Sequence, residues 1–148
     1  MKIVVQRVST ATVKVDNTLV GKISKGLLLY IGIGNNDSVI DINKLIDKIL
    51  NLRIFNDITN KMNCSLKDVN GELLIISQFT LYADCSHGNR PSFIKAASKN
   101  HAENIYNQFV NYALKQNIKV ETGIFGANMI IDSINDGPVT ILLNSDET

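Results

Sequence analysis

The sequence is poor in the residues that most often announce a chemistry. Its 148 residues hold two cysteines, Cys64 and Cys85, and two histidines, His87 and His101. The cysteines form no C-x-x-C spacing and the histidines are scattered, so nothing builds a zinc site and the thiols read as reduced and incidental. A redox role would need an exposed thiol of depressed pKa. Long apolar runs are missing too, since the longest, residues 26–34, is too short to span a bilayer. At the start, Met1-Lys2-Ile3-Val4-Val5-Gln6-Arg7 reaches polar residues before a signal-peptide core can form. A cytoplasmic protein without a membrane partner is expected. Charge of one sign is also lacking, with 15 Lys and Arg against 14 Asp and Glu and a net charge of +1. Proteins that grip many phosphates usually carry a basic excess. Any nucleic-acid contact should therefore involve a short end, and no DNA partner is expected.

The usual hydrolase and nucleotide signatures are absent as well. There is no G-x-S-x-G elbow, no H-E-x-x-H, no Walker loop and no complete G-x-G-x-x-G. Gly32-Ile33-Gly34 runs into Asn35-Asn36-Asp37 and reads as a strand end. A Ser-His-Asp triad would have to draw on His87, in the polar loop 84–89, or on His101, in the first turn of an amphipathic helix. Both positions read as surface. No strong general base stands out.

What is present is an ordinary globular composition, 45% apolar and 20% charged, with apolar residues along the whole length. The length suits one domain, 1–148, with a single core. Helical period appears over residues 38–50, where Val39, Ile42, Leu45, Ile46, Ile49 and Leu50 share a face and Asp37 or Ser38 can cap the first turn. It appears again over residues 99–116, through Ala102, Ile105, Tyr106, Phe109, Val110, Ala113 and Leu114. Strands are expected at 3–8, 12–15, 19–23, 27–33, 72–79, 118–121, 129–134 and 139–143. Asp16-Asn17 can turn the chain, residues 27–33 look buried on both faces, and Asn70-Gly71 is the strongest hairpin signal. Strands and helices do not alternate regularly. The expected fold is α+β, a mainly antiparallel sheet curled into a barrel with two outer helices.

Two polar segments resist explanation by packing alone. In Ser77-Gln78-Phe79-Thr80-Leu81-Tyr82-Ala83-Asp84, hydroxyl and amide groups stand beside a flat apolar ring. That mixture suits stacking a base while backbone N–H groups face a carbonyl, although a half-buried edge strand with alternating faces is the plainer reading. In Asn135-Asp136-Gly137-Pro138-Val139-Thr140, a plain turn is one reading. A cis Gly137–Pro138 bond, which would aim carbonyls at an ammonium group, is the other.

Taken together these segments, with Gly88-Asn89-Arg90-Pro91-Ser92-Phe93, resemble the signatures of the D-aminoacyl-tRNA deacylase (D-tyrosyl-tRNA(Tyr) deacylase) family. Val5-Gln6-Arg7-Val8, Asn51-Leu52-Arg53-Ile54-Phe55, Lys61-Met62-Asn63 and Glu121-Thr122-Gly123 extend the likeness, in order, over nearly the whole chain. The resemblance implies a homodimeric ester hydrolase, free of metal and cofactor, that proofreads chirality at the aminoacyl-tRNA 3′ end. Glycine mischarged on tRNA(Ala) is an expected further substrate. It implies that Gly137–Pro138 is cis, enters the partner's site and receives the α-amino group on main-chain carbonyls, and that Arg7 holds this loop. Ser77, Gln78, Phe79 and Thr80 would line the pocket for adenosine and ester, with amides near Gln78 and Phe79 on the oxyanion. Met129 and Phe93 would lie close by. Either Thr80 or the ribose 2′-OH could assist hydrolysis. His87 and Ile124 depart from positions that are often basic in the family. A non-catalytic RNA 3′-end or nucleotide-binding module on the same fold is the alternative.

Overall fold

The computed structural model describes residues 1–147, the side chain of Asp41 apart; Thr148, the last residue of the expected domain, lies outside them. Strand β1 (Lys2–Val15) turns into β2 (Thr18–Ile23), and β3 (Gly26–Gly32) follows. The first turn is made by Asp16 and Asn17, both at positive φ, a conformation that Asp and Asn tolerate. Helix α1 (Ile40–Asn51) leads to a small hairpin of β4 (Phe55–Asn56) and β5 (Met62–Cys64). Then come β6 (Glu72–Ser77), a 3₁₀ turn (Phe79–Tyr82), helix α2 (Lys99–Leu114), β7 (Val120–Thr122) and β8 (Ile130–Asn144).

The main sheet runs β2-β1-β3-β6-β7, and β8 pairs with β1. β1 is antiparallel to β2, β3 and β8, whereas β3–β6 and β6–β7 are parallel. The sheet is therefore mixed. It nearly closes into a barrel, because β2 comes back against β7: a Cβ on Gly21 would lie 2.7 Å from the Thr122 carbonyl oxygen. β8 follows β1 along its length, so β3 and β2 share the other edge of β1, one at each end.

Alternation along the strands builds two cores. Leu27, Leu29, Ile31, Leu73 and Ile75 face the two helices, and Leu28, Leu74 and Ile76 face the barrel interior. β1 changes sides midway: Ile3 and Val5 join the helix-side core, while Ala11 and Val13 point inward. The cause is a bulge at Ser9, where Val8 pairs Asn135 and Thr10 pairs the adjacent Ile134. Ile42, Leu45, Ile46 and Ile49 from α1, with Ile105, Tyr106 and Phe109 from α2, seal the helix-side core. Tyr106 donates its buried hydroxyl to the Ile75 carbonyl at 2.8 Å.

Several sequence expectations need correction. The strands expected at 3–8 and 12–15 are one, and so are those at 129–134 and 139–143, because each ladder resumes beyond its irregularity. Asn70-Gly71 makes a turn but no hairpin. The Gly71 amide closes back on the Leu66 carbonyl, and β6 enters the sheet between β3 and β7 instead of pairing with β5. α1 starts at Ile40 with Val39 as its N-cap and no side-chain cap. The Asp37 carboxylate instead accepts the Gly34 amide (2.6 Å), the Tyr82 hydroxyl (3.2 Å) and the Met1 ammonium. Burial, then the Asp37 carboxylate, push the Tyr82 phenol above its ordinary pKa and keep it a donor. β6 stops at Ser77 rather than at Phe79, because the chain turns into the 3₁₀ segment.

The parallel β3–β6 contact tolerates no side chain at its start. Gly26 pairs Glu72, and a Cβ there would lie 1.9 Å from the Glu72 carbonyl oxygen. Gly26→Ala is expected to lower the urea midpoint by the equivalent of about 2–3 kcal/mol, an overpacking cost borne by backbone. An unchanged midpoint would contradict this packing.

Candidate active site

Where β3 and β6 end, their C-terminal residues open onto a cleft of about 520 Å³. Ile31 and Ile33 form one wall, Ser77, Gln78 and Phe79 another, and the segment Phe125 to Met129 a third. Small residues, Ala97 and Ala102 at the start of α2, leave it open. Carboxylates, imidazoles and thiols are absent from its lining.

The wall at Ser77 owes its geometry to the change from strand to 3₁₀ turn. The Gln78 amide still belongs to the sheet and donates to the Ile31 carbonyl at 2.8 Å. It is thus not available to an oxyanion, contrary to the sequence expectation. The next two amides, of Phe79 and Thr80, begin the turn and meet no acceptor among the described residues. Leading N–H groups of a helical turn are left unpaired by its own geometry. Phe79 lines the cleft, and Thr80 follows it in the turn. The Thr80 hydroxyl accepts from the Gln78 side-chain amide, a group that cannot take its proton.

Phe79, 56% exposed, meets Phe93 edge-on with ring centroids 5.0 Å apart. A solvent-facing aromatic pair beside open hydrogen-bond donors is a surface on which a nucleobase can stack. Met129 lines the cleft from below, its sulfur lodged where a Cβ on Gly123 would sit 2.3 Å away. The loop between Tyr82 and Phe93 is fastened by Asp84. Bonds from the Ser86 hydroxyl and amide, then Lys95, lower its carboxyl to about 2. His87 and Arg90 of this loop line a second, smaller hollow rather than the cleft.

The structure therefore gathers Ser77, Gln78, Phe79 and Met129 around the cleft and sets Thr80 and Phe93 against its wall. Arg7, Gly137 and Pro138 stand apart. Arg7 pairs Leu27 at the opposite end of β3 from Ile31, about 13 Å along the strand. There the β1–β8 ladder steps from Gln6–Thr140 to Val8–Asn135, so residues 136–139 bulge out opposite Arg7. The Gly137–Pro138 bond within that loop is cis, and both residues are exposed. Arg7 itself is buried, 6% exposed. Its Nε donates to the Asp136 carbonyl at 3.1 Å, and one terminal nitrogen donates to the Ile54 carbonyl at 2.6 Å. Gly137 has φ +126°, and a Cβ on it would meet an Arg7 nitrogen at 3.0 Å.

Sequence reasoning missed the third wall, Gly126 to Asn128, and Lys99 at the rim. Gly126, at φ +74°, marks a turn there. Lys99 carries no sequence signal beyond starting a helix. His101 is engaged by the Asp37 carbonyl at 3.0 Å, which accounts for it outside the cleft. Among the described residues, no three His, Cys, Asp or Glu side chains gather as a metal set. No helix among them is long and apolar enough to cross a membrane.

The family described as D-Tyr-tRNA(Tyr) deacylase matches residues 4–144. A Clostridium perfringens protein named D-aminoacyl-tRNA deacylase is 53% identical over 145 residues, covering 98% of this chain and 97% of its own. The solved structure of a c-Myc DNA unwinding element binding protein superimposes with TM-score 0.90 at 39% identity, covering 97% of this chain and 98% of that one. A structure titled as a probable eukaryotic D-amino acid tRNA deacylase gives TM-score 0.83 at 16% identity over 96% of this chain and 97% of that one, a likeness of fold.

Removing the guanidinium that ties the exposed loop to the core leaves two carbonyls without their donor. Arg7→Met is expected to cost about 2–4 kcal/mol in urea unfolding. Arg7→Lys should recover only part of it, since a point charge cannot serve both carbonyls in fork geometry. Full recovery by lysine would contradict the two-carbonyl role.

Proposed function

The chain belongs to the D-Tyr-tRNA(Tyr) deacylase family, and we propose that its cleft is where the ester bond of D-aminoacyl-tRNA is hydrolysed. It is a D-aminoacyl-tRNA deacylase, a hydrolase that frees D-amino acid and tRNA. The observation that carries the site assignment is that the turn bounding this cleft, which has no protein base in its lining, starts with two unpaired amides, those of Phe79 and Thr80. In this reading the terminal adenine rests against Phe79 and Phe93, and the ester carbonyl faces the two amides. A water oxygen adds to the carbonyl carbon, and the amides hold the resulting oxyanion in the tetrahedral intermediate. The ribose oxygen then leaves as the C–O bond breaks. Its neighbouring ribose hydroxyl relays the proton from the attacking water to that oxygen. Ser77 and Gln78 position the ester and Met129 bounds the amino-acid side.

Chirality is assigned to the Gly137–Pro138 loop, whose carbonyls take the α-ammonium and whose backbone blocks an L side chain. Within one chain the loop and the cleft are apart. The β8 edge that bears the loop exposes Ile134 (61%) and Leu142 (74%), which supports a second copy lying along it. The loop of each copy would then enter the cleft of the other, and Arg7 would hold it from behind. In this reading the chain acts as one domain, 1–148, and a dimer that works on charged tRNA acts in the cytoplasm.

Binding of an RNA end without hydrolysis is the competing reading, favoured by the exposed aromatic pair. Release of amino acid from D-tyrosyl-, L-tyrosyl- and glycyl-tRNA separates the two. The expected result is cleavage of the D-tyrosyl and glycyl esters, because glycine presents no side chain to the wall, with the L ester left at its spontaneous rate. Thr80→Ala should stay within about tenfold of the unaltered enzyme, whereas loss of a nucleophile costs about a thousandfold or more. Spontaneous rates for all three esters would leave only the binding reading standing.

A further inference from the structure

Lys99 is the one charged residue among those that line the cleft. It begins α2 and its side chain reaches across the rim to the third wall: a Cβ on Gly126 would lie 3.7 Å from Cε and 4.0 Å from Nζ. Gly126 thus leaves the ammonium its place over bare backbone. Lys95 and Lys119 are held by Asp84 and Glu72, but Lys99 has no ion-pair partner among the described residues. A cation that could sit free in solvent sits instead at the mouth of a site whose lining is otherwise uncharged.

The substrate's own charges determine what can face it. The aminoacyl end of charged tRNA carries a positive α-ammonium, which a lysine repels. The nearest negative charge is the phosphodiester on the 5′ side of the terminal adenosine, one ribose away from the ester. Phe79, with Phe93 packed on it, stands on the wall made by the 3₁₀ turn, and Lys99 stands on the wall made by α2 and Gly126. From this arrangement, and resting on the hydrolase reading above, we infer that Lys99 is the subsite for the phosphodiester 5′ to the terminal adenosine. It fixes the direction in which the aminoacyl end lies in the cleft, with phosphate toward α2 and ammonium away from it. The chain needs no extended basic surface for this, in keeping with its net charge of +1. One exposed cation aimed at one phosphate supplies orientation more than affinity.

The test compares two small esters, D-tyrosyl-adenosine, which has no phosphate, and the D-tyrosyl ester of cytidylyl-(3′→5′)-adenosine, which has one. The quantity read is the factor by which the phosphodiester raises kcat/KM. A charge-assisted contact predicts a factor of about tenfold at low salt. In Lys99→Met the factor should fall toward about one, and in Lys99→Arg it should survive. It should also shrink as salt rises through the range where exposed charges are screened. An equal factor in Lys99→Met and the unaltered protein would overturn the subsite. A Lys99→Met loss that appears only with D-aspartyl esters would do the same, by moving the lysine onto an acidic amino-acid side chain. If the unaltered protein cleaves neither D-tyrosyl ester nor D-tyrosyl-tRNA, the hydrolase reading itself falls and takes the subsite with it.

Discussion

Everything in this molecule hangs on the ladder between β1 and β8 and on its single large interruption. β1 is the strand that all of β2, β3 and β8 use, so its register sets the barrel, the helix-side core and the outer edge together. At Arg7 the partner strand departs for residues 136–139 and returns. A loop thrown out of an edge strand would ordinarily be mobile, with unpaired backbone. Here a buried guanidinium takes the Asp136 carbonyl on one side and the Ile54 carbonyl on the other, which ties the loop to the core beneath it. The Asn135 side chain adds a bond from the Val139 amide across the loop's base. The loop is held out and held still.

The cleft follows the same economy of side chains. Its wall is made by a change of backbone geometry, where β6 ends at Ser77 and the 3₁₀ turn begins at Phe79. The last strand amide is spent on the sheet, and the first two turn amides are not. On the proposed reading, donors fixed by backbone need no reorganisation when negative charge develops on the ester oxygen. Selection by a backbone wall likewise exceeds what a pocket fitted to one methylene can achieve, about 1–3 kcal/mol.

Much of this was legible in the sequence because local chemistry and global fold agree. The unbroken apolar runs of β3 and of residues 73–76 announce strands covered on both faces, and the apolar stripes of α1 and α2 announce their seats. The misreadings come from places where tertiary structure overrides a local signal. Ser9 and the Asn135–Val139 stretch look like strand ends, but pairing with β1 carries each strand through. Asn70-Gly71 has hairpin chemistry, yet its glycine amide is taken by Leu66 and β6 is captured by β3 and β7. Asp37 is well placed to cap α1, but four donors from elsewhere claim its carboxylate, from Met1, Gly34, Tyr82 and Ser145. In the cleft, the Ser77 to Phe79 motif marks residues that line it, whereas which of the Gln78, Phe79 and Thr80 amides is already paired is a matter of hydrogen-bond partners that no motif encodes. Lys99 is invisible for a related reason, since one lysine at a helix start is ordinary until the cleft is seen around it.

The central claim is that cleft and loop, separate within one chain, make one site between two. Complementation tests it most directly. A Gly137→Val chain, whose side chain would strike Arg7 and Val139, should lack the loop, and an Ala102→Trp chain should have a filled cleft. Each alone should be inactive on D-tyrosyl-tRNA. Unfolded and refolded together, random pairing should restore about a quarter of the unaltered activity, because half the dimers hold one intact site. Restoration near that value is the predicted result. No restoration, from two chains that each fold and pair, would show that every chain serves its own site and would contradict the account.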